Sequence, residues 1–331
     1  MTIADIAREA GVSQATVSRV LNGHDSVVPE KREAVLRIVR ETGFRQRAMV
    51  PKSAEPRNIG MVMLEFPMAN PGIVLNKYEN VLSSLGNEFS LVMLPSGIGG
   101  AALLEAIRSR ELCGLIMHGH RCPDAEFEEV LGEIPHLWLN SRQGDNRASL
   151  IFPNNEYAGR LAAGYLLKQK KCAVPALLTF PSRNPGMESR FSGFRFAAFE
   201  AGVPCRQLAL AECGDFETLD DRTLEGCIDR AMTPEALAGV DGLFIADDRL
   251  TALACRIFGR RNVPPDERPA LVSCDNDPQL LMGLYPRPAT IDLGPGMASL
   301  AIRTFLSRID GGAEVDRNIA IFARPELIPG E

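Results

Sequence analysis

The chain has 331 residues, of which 45% are hydrophobic and 24% are charged. These values are typical of a globular protein of about two domains and exclude a collagenous or disordered chain. No apolar run approaches the roughly 18 residues of a membrane span, and the N-terminus is polar and charged, unlike a signal peptide. The sequence therefore predicts a soluble protein of the cytoplasm without membrane contact.

The eight cysteines are scattered along the chain and form no C-x-x-C pair. This spacing favours neither a zinc ribbon nor a disulfide scaffold. We expect reduced cysteines that act mostly as small buried hydrophobic residues.

Charge is distributed unevenly between the N-terminal segment and the rest of the chain. Residues 1–57 carry ten Lys/Arg and seven Asp/Glu, whereas the whole chain has a formal net charge of -6. A small basic head on an acidic body can bind phosphates by itself. A surplus of three positive charges is nevertheless too small to establish nucleic-acid binding.

The first 45 residues have the periodicity of short helices. The first helix ends at Gly11, Ser13 caps a second helix over residues 14–21, and a third follows Pro29. Two short helices around a turn at Gly11 indicate a helix-turn-helix. Periodicity alone also allows a three-helix bundle with a solvated polar face.

The second helix has one face suited to the major groove of DNA. Its apolar stripe is Val17, Val20 and Leu21. The opposite face carries Gln14, Ala15, Ser18, Arg19 and Asn22. Glutamine can pair with adenine, arginine with guanine, and an alanine methyl can meet a thymine methyl, while hydroxyls hold phosphates.

The segment T-I-A-D-I-A-R-E-A-G-V-S-Q-A-T-V-S-R-V-L-N-G, residues 2–23, resembles the DNA-binding head of the LacI/GalR family of bacterial transcription regulators. The resemblance implies that Gln14, Ala15 and Arg19 read bases. It also implies that four further residues either bind phosphates or stabilise the core of the head, namely Ser13, Thr16, Ser18 and Asn22. A homodimer on a near-palindromic operator is the expected partner arrangement.

The linker that follows departs from the resemblance. Members of the family usually have Tyr-x-Pro-Asn and then a hinge helix with a leucine that enters the minor groove. Here Gln46 takes the place of that proline, Ser53 lies near the leucine position, and Pro51 disfavours a helix across the segment. We expect a mostly extended linker whose cations contact DNA: Arg45, Arg47 and Lys52.

From residue 58 onward, apolar strands alternate with helices, which predicts doubly wound parallel sheets. Eleven strands are predicted, at residues 59–64, 91–94, 114–118, 136–139, 149–152, 174–180, 207–210, 242–246, 270–274, 289–292 and 319–322. Nearly 275 residues exceed one comfortable sheet. The predicted fold is a small all-α helix-turn-helix head plus an α/β two-lobed sensor of doubly wound parallel sheets, like a periplasmic binding protein.

The predicted domains are a DNA-binding head at residues 1–45, a linker at 46–57 and an effector-binding and dimerisation domain at 58–331. The resemblance implies that the chain crosses between the lobes near 153, near 290 and near 317. Lobe 1 is then residues 58–153 and 290–317. Lobe 2 is residues 154–289 and 318–331.

Enzymatic motifs are absent from the sequence. There is no G-x-G-x-x-G, P-loop or G-x-S-x-G, so no cofactor and no catalytic residue is predicted. His118-Gly119-His120, with Cys122, has the chemistry of a metal site, but residues in such a loop rarely converge. His118 and His120 are instead expected at the carboxyl end of a strand, either facing the cleft or within a structural loop.

Three further segments resemble the family's sensor domain, namely residues 189–194, 245–248 and 272–276. In the family these segments hold a small effector, often a sugar, so the resemblance implies Arg190, Asp247 and Asp275 as effector-binding candidates. An arginine fork and two carboxylates can grip vicinal hydroxyls. Asp247 replaces the family's usual asparagine, and Asn154, a further candidate, stands where aspartate is common. Alternatively, Arg190 and Asp275 brace each other.

Together the head and the sensor predict a transcriptional regulator, expected to be a repressor, whose operator affinity is controlled by a small effector bound between the lobes. The alternative is a cytoplasmic doubly wound binding protein or enzyme with an N-terminal helical bundle. A periplasmic binding protein would need a signal peptide in place of the head.

Overall fold

The computed structural model describes residues 3–21, 27–42, 56–64, 79–86, 88–119, 122–139, 149–182, 184–210, 213–214, 216, 219–294, 296–309 and 320–330. Residue contacts divide the chain into two compact units, Met1–Glu55 and Pro56–Glu331. Within the described part of the chain, no helix is long and apolar enough to cross a membrane.

The first unit is a bundle of three helices, α1 (Ile3–Glu9), α2 (Gln14–Leu21) and α3 (Pro29–Thr42). Its core is formed by one face of each of the three helices: Ile6, Ala7, Val17, Val20, Val35 and Ile38. Gly11 has a φ of 63° in the turn between α1 and α2, a conformation that costs a glycine little. The helix-turn-helix predicted from the sequence is confirmed.

The second unit contains two six-stranded sheets. The first has the order β11-β5-β4-β3-β1-β2. Its strands are β1 (Arg57–Met63), β2 (Phe89–Leu94), β3 (Leu112–His118), β4 (His136–Leu139), β5 (Ser149–Pro153) and β11 (Ala320–Ala323). All of its strand pairs are parallel. Its helices are α4 (79–84), α5 (Gly100–Ser109), α6 (Ala125–Leu131) and α13 (Met297–Ile309).

The second sheet has the order β12-β10-β9-β8-β6-β7. Its strands are β6 (Pro175–Thr179), β7 (Arg206–Ala209), β8 (Gly242–Ile245), β9 (Ala270–Cys274), β10 (Ala289–Asp292) and β12 (Glu326–Ile328). Its helices are α7 (Asn155–Gly164) with a π-helical turn at Tyr165–Gln169, α8 (Pro185–Glu200), α9 (Asp221–Ala231), α10 (Pro234–Leu237), α11 (Asp248–Arg260) and α12 (Pro278–Leu281), with a 3-10 turn at Pro265–Glu267. The predicted two-lobed α/β fold is confirmed.

The predicted position of the last crossing between the lobes, near residue 317, is wrong. Strand β11 pairs in parallel with β5, with Ala320 opposite Leu150, so it belongs to the first sheet. This last crossing comes later, at residues 324–325, after which β12 pairs antiparallel with β10. The sequence did not predict β12, because three residues after Pro325 are too short to show a strand period.

The expectation that all cysteines are reduced is also contradicted at one pair. Cys213, after β7, and Cys227, on α9, are joined in a disulfide. The two are 14 residues apart in sequence and lie in the same hydrophobic core of the second lobe. The other six cysteines are thiols.

Candidate functional site

The head presents an exposed start of α2. The Thr16 backbone N–H donates to Ser13 Oγ at 3.2 Å, so Ser13 caps the helix as predicted. Ser13 Oγ and Thr16 Oγ1 are also hydrogen-bonded at 2.9 Å, and Gln14 is exposed beside them. Burial of Val17 and Val20 fixes which face of α2 turns outward.

Several of the residues predicted to contact DNA, or their side chains, lie outside the part of the chain that the structure describes. Asn22, Arg45 and Arg47 lie beyond the described residues, as does the whole linker segment 43–55. Ala15, Ser18 and Arg19 lie on the described backbone of α2, but their side chains are outside the description. The roles assigned to these residues stay predictions.

The guanidinium of Arg190 lies at the centre of the sensor site, with only 4% of its side chain exposed. Its Nε donates to Asn155 Oδ1 at 3.0 Å, and Nη1 donates to the carbonyl of Ala246 at 2.6 Å. Nη2 lies 3.4 Å from Asp275 Oδ1. One side chain on α8 therefore joins the start of α7, the end of β8 and the turn after β9.

Two glycines set the distance between α7 and α8 that makes this arrangement possible. A Cβ at Gly159 would lie 2.0 Å from the carbonyl oxygen of Arg190, and a Cβ at Gly193 would lie 2.0 Å from that of Glu156. Such distances are far below contact distance, so the helices touch backbone to backbone. This close approach brings Asn155 to Arg190.

Asp247 and Asp275 follow neighbouring parallel strands at the same edge of the sheet. Strands β8 and β9 pair in register, with Phe244 opposite Val272, so their carboxyl ends are adjacent. Asp247 caps α11, because its Oδ1 accepts from the Leu250 N–H at 2.9 Å. The family resemblance implied that Arg190, Asp247 and Asp275 lie at one cleft, and the structure brings the three together. Their role in effector binding stays a prediction.

The turn that carries Asp275 has an unusual backbone. Asp275 has a φ of 106° and Asn276 a φ of 54°, which are rare for residues other than glycine. The Asp275 N–H donates to the carbonyl of Ile291 at 2.9 Å, and Asn276 Nδ2 donates to Asp292 Oδ2 at 3.1 Å. Strained backbone held by such bonds is common at ligand sites, where it fixes a side chain in advance.

A third carboxyl group, that of Asp248, lies behind this turn and is only 1% exposed. Its Oδ2 accepts from the Asp277 N–H at 2.7 Å. Its Oδ1 accepts from Thr290 Oγ1 at 3.0 Å and shares a short hydrogen bond with the hydroxyl of Ser273.

Burial and mutual repulsion shift the protonation of these acids. Burial, followed by the charge of Asp275, raises the pKa of Asp247 to about 6 and that of Asp248 to about 8. Burial alone would lower the pKa of Arg190, but the charge of Asp275, together with those of Cys274, Asp247 and Asp248, outweighs burial and raises it. Arg190 is therefore a permanent cation among acids of unequal strength.

The structure places the remaining predicted residues differently. His118 ends β3 in the first sheet and is 1% exposed, so its side chain belongs to the interior of that lobe. Asn154 caps α7 through the Tyr157 N–H at 3.0 Å, and its own N–H donates to the carbonyl of Ala323 at 2.9 Å. Asn154 thus has a structural role at a lobe crossing. His120 lies outside the described residues.

Sequence reasoning did not assign two residues that the structure places at the site. Asn155 follows the candidate Asn154 directly, and Asp248 follows the candidate Asp247. The sequence signal that could have found them is a pair of identical polar residues just after a strand, Asn154-Asn155 and Asp247-Asp248. Among the described residues, no cluster of three His, Cys, Asp or Glu side chains could hold a metal ion.

Comparison with known proteins identifies the family. Residues 2–46 match the family model described as "Bacterial regulatory proteins, lacI family". The chain is 30% identical over 272 residues to the ribose operon repressor of Halalkalibacterium halodurans, covering 80% of this chain and 78% of that protein. The chain belongs to the LacI family. It is thus a helix-turn-helix transcriptional regulator.

Solved structures show the same fold over the whole chain. The transcriptional regulator CelR–cellobiose complex has a TM-score of 0.65 at 23% identity, covering 100% of this chain and 99% of that one. The lac repressor dimer bound to operator and the anti-inducer ONPF has a TM-score of 0.59 at 18% identity, covering 100% and 98%. At these identities the similarity shows a shared fold and does not identify the ligand of this LacI-family regulator.

Proposed function

We propose that this LacI-family regulator is a cytoplasmic repressor that binds a near-palindromic operator as a homodimer and has no enzymatic activity. A small polyhydroxylated effector, of the sugar class, binds between the lobes and controls its operator affinity. The observation that carries the proposal is the convergence of Arg190, Asp247 and Asp275 at the carboxyl edge of the second sheet. Ligands of doubly wound folds bind at this edge.

The chemistry of the three groups suits vicinal hydroxyls. Ionised carboxylates only accept hydrogen bonds, and a sugar hydroxyl donates one. Asp275 is 36% exposed, whereas Arg190 is buried behind it. Asp275 and Asp247 are therefore the proposed direct acceptors, and Arg190 orients Asp275. The relatives named for ribose and cellobiose support a sugar as the effector class.

Control of DNA binding by the effector requires two states of the sensor with different effector affinities. The chain passes between the lobes three times, so closure of the lobes on a ligand would move all three crossings together. We propose that this movement changes the separation of the two heads of a dimer, and thereby the fit to two half-sites.

A thermal-shift screen followed by a gel shift tests the proposal. Sugars such as D-ribose, cellobiose and D-xylulose are added to the full chain, and a ligand that binds the folded state raises its Tm. A binding sugar should then change the mobility shift of DNA from upstream of the gene itself. DNA binding that is unaltered by every sugar that raises the Tm would refute effector control. Sedimentation equilibrium measures the dimer.

A further inference from the structure

The carboxylate of Asp292, the last residue of β10, holds two different parts of the chain. Its Oδ2 accepts from Asn276 Nδ2 at 3.1 Å, and its Oδ1 accepts from the Gly294 N–H at 3.1 Å. Asn276 belongs to the turn after β9, residues 275–277, which we call the effector turn. Gly294 lies on the crossing from β10 in the second lobe to α13 in the first. One side chain thus joins the effector turn to a lobe crossing.

Gly294 is connected in turn to the other two crossings. A Cβ at Gly294 would lie 3.1 Å from the Cβ of Ala323, so these two residues pack closely. The carbonyl of Ala323, just before the last crossing, accepts from the N–H of Asn154, just after the first, at 2.9 Å. The carbonyl of Gly294 accepts from the N–H of Met297, the first residue of α13, at 2.9 Å. The three crossings therefore form one connected cluster.

A second route leads from this cluster back to the effector site. Asn155 follows Asn154 directly and accepts from Arg190 Nε at 3.0 Å. Arg190 Nη2 lies 3.4 Å from Asp275 Oδ1, on the effector turn. The contacts thus close a ring that passes from Arg190 to the crossings and returns through Asp292. A displacement of the effector turn relative to Arg190 must be matched at the crossings, or one of these contacts breaks.

Three consecutive residues of β10 hold the effector turn. Thr290 Oγ1 accepts from the Asn276 N–H at 3.2 Å, and the Ile291 carbonyl accepts from the Asp275 N–H at 2.9 Å. Asp292 differs from both because its second oxygen bonds beyond the end of the strand, to Gly294. Its two partners are both N–H donors, which suits a carboxylate, since a carboxylate only accepts hydrogen bonds.

We infer that Asp292 is a positioning residue that holds the effector turn, and with it Asp275, and that transmits the state of this turn to the lobe crossings. An effector bound to Asp275 restrains the turn, and the carboxylate of Asp292 transmits that restraint to Gly294 and α13. Rotation of the lobes changes the chain direction at Gly294, so the bond differs in energy between the two states, as coupling requires. The role toward the effector rests on the proposed function, whereas the link between turn and crossing does not.

Exchanging the two polar groups separates this link from a mere change of charge. Asn276→Asp places two carboxylates opposite each other, and the hydrogen bond between them is lost because neither donates. Asp292→Asn keeps both bonds, since its oxygen accepts from Gly294 and its NH2 donates to Asn276 once that amide has turned over. The double variant Asn276→Asp/Asp292→Asn has the wild-type net charge and again pairs an amide with a carboxylate. Aspartate, like asparagine, tolerates the φ of 54° at position 276.

Hydrogen exchange at the Gly294 amide, measured at pH 7 on the full chain without effector, tests the link. Asp292→Ala should speed exchange about tenfold or more, the effect of losing a bond to a charged acceptor. Asn276→Asp should speed it about threefold or more, because Asp292 turns away from the new charge. Asp292→Asn and the double variant should remain protected. Gln279→Glu, which adds the same charge on the exposed face of α12, is the matched control and should equal the wild type.

The positioning role is tested with a sugar found by the thermal-shift screen. Calorimetry gives the sugar affinity, and the ratio of operator Kd with and without saturating sugar gives the coupling, usually about 5- to 150-fold in allosteric proteins. Asn276→Asp and Asp292→Ala should weaken sugar binding and bring the coupling to about threefold or less. The double variant should recover both, which a loss of stability alone would not explain; the Tm of each variant is measured alongside.

Three results would overturn the inference. They are wild-type Gly294 exchange in Asn276→Asp, a double variant that exchanges as fast as Asn276→Asp, and wild-type sugar affinity and coupling in Asp292→Ala. Gly294 exchange that follows the expected order in a protein whose operator affinity no sugar changes would refute the proposed function alone.

Discussion

Gly159 and Arg190 are in backbone contact: a Cβ at position 159 would lie 2.0 Å from the carbonyl oxygen of Arg190. The residue with the central guanidinium of the site is thus also the residue against which α7 packs. A change in the distance between α7 and α8 therefore also moves the guanidinium of Arg190 relative to α7.

Gly159→Ala should separate α7 from α8 and move Asn155 away from Arg190. Overpacking of this kind costs about 1–3 kcal/mol, and we expect a lower Tm together with weaker effector binding. Gly164→Ala on the same helix is the matched control, since its Cβ would meet nothing within 4 Å. That change should raise stability by roughly 0.5–1 kcal/mol, because alanine is the better helix former. Thermal unfolding of the two variants makes the comparison.

Asp275→Asn should weaken the effector response while operator binding survives. The change removes the charge that faces Arg190 and replaces one of the two acceptor oxygens by an NH2 donor, and asparagine tolerates a positive φ. Hydrogen bonds to charged groups are worth about 1.5–3 kcal/mol, which corresponds to roughly a tenfold to hundredfold loss of affinity. Calorimetric titration with a sugar found by the thermal-shift screen measures it.

The control for this change is Asp221→Asn, which removes an ion-paired aspartate on α9. Its affinity for the same sugar should equal that of the wild type. An unchanged affinity in Asp275→Asn as well would remove Asp275 from the effector site.

The stability of the sensor unit should fall as the pH rises from about 4 to about 8. Asp247 and Asp248 have pKa values raised to about 6 and about 8 in the folded protein, against about 3.9 when unfolded. The folded chain therefore binds more protons in this window, so the free energy of unfolding decreases with pH. The limiting slope is about 1.4 kcal/mol per pH unit for each group.

Urea unfolding at several pH values measures this slope in the wild type, Asp247→Asn and Asp248→Asn. Asparagine preserves the cap of α11 at position 247, so that variant should lose its part of the slope below about pH 6. Asp248→Asn should lose the part that extends to about pH 8. Three parallel curves would mean that neither carboxyl group binds its proton more tightly in the folded state.

Gln14→Ala and Ser13→Ala should affect DNA binding in different ways. Loss of a base contact by Gln14 costs about 1–3 kcal/mol at the base it reads, so the preferred operator should change. Ser13 caps α2, and its loss, at about 1 kcal/mol, should weaken binding to all sequences alike. Selection from a randomised operator library shows which applies. An unchanged preference in Gln14→Ala would mean that another face of α2 reads the bases.

The linker prediction concerns residues outside the described part of the chain. Pro51 within a helix would cost about 3 kcal/mol, so an extended linker and less operator bending than the family norm are expected. Circular-permutation gel mobility measures the bend. A strong central bend that is lost in Met49→Ala or Val50→Ala would show that a side chain enters the minor groove after all.

The sequence predicted most of the fold because its patterns are local. The three head helices and the alternation of strands and helices follow from periodicity. The meeting of Arg190, Asp247 and Asp275 was implied by the family resemblance of the segments that carry them. Pairings between distant segments were less accessible. The partner of β11, the short strand β12 and the contact between Cys213 and Cys227 depend on tertiary packing. Asp248 was missed because its hydrogen bonds come from two hydroxyls and one backbone N–H on other segments of the chain.

Residues 320–328 provide a parallel strand to the first sheet and an antiparallel strand to the second, with only Arg324 and Pro325 between them. Neither sheet can therefore be completed until this late segment has left the ribosome. Until then β5 and β10 are unpaired on one side. The two contacts that complete the sheets differ in sequence separation: β11 pairs with β5 across about 170 residues, and β12 pairs with β10 across fewer than 40. Loop closure over long separations slows folding, so the first lobe should be the last part of the sensor to form.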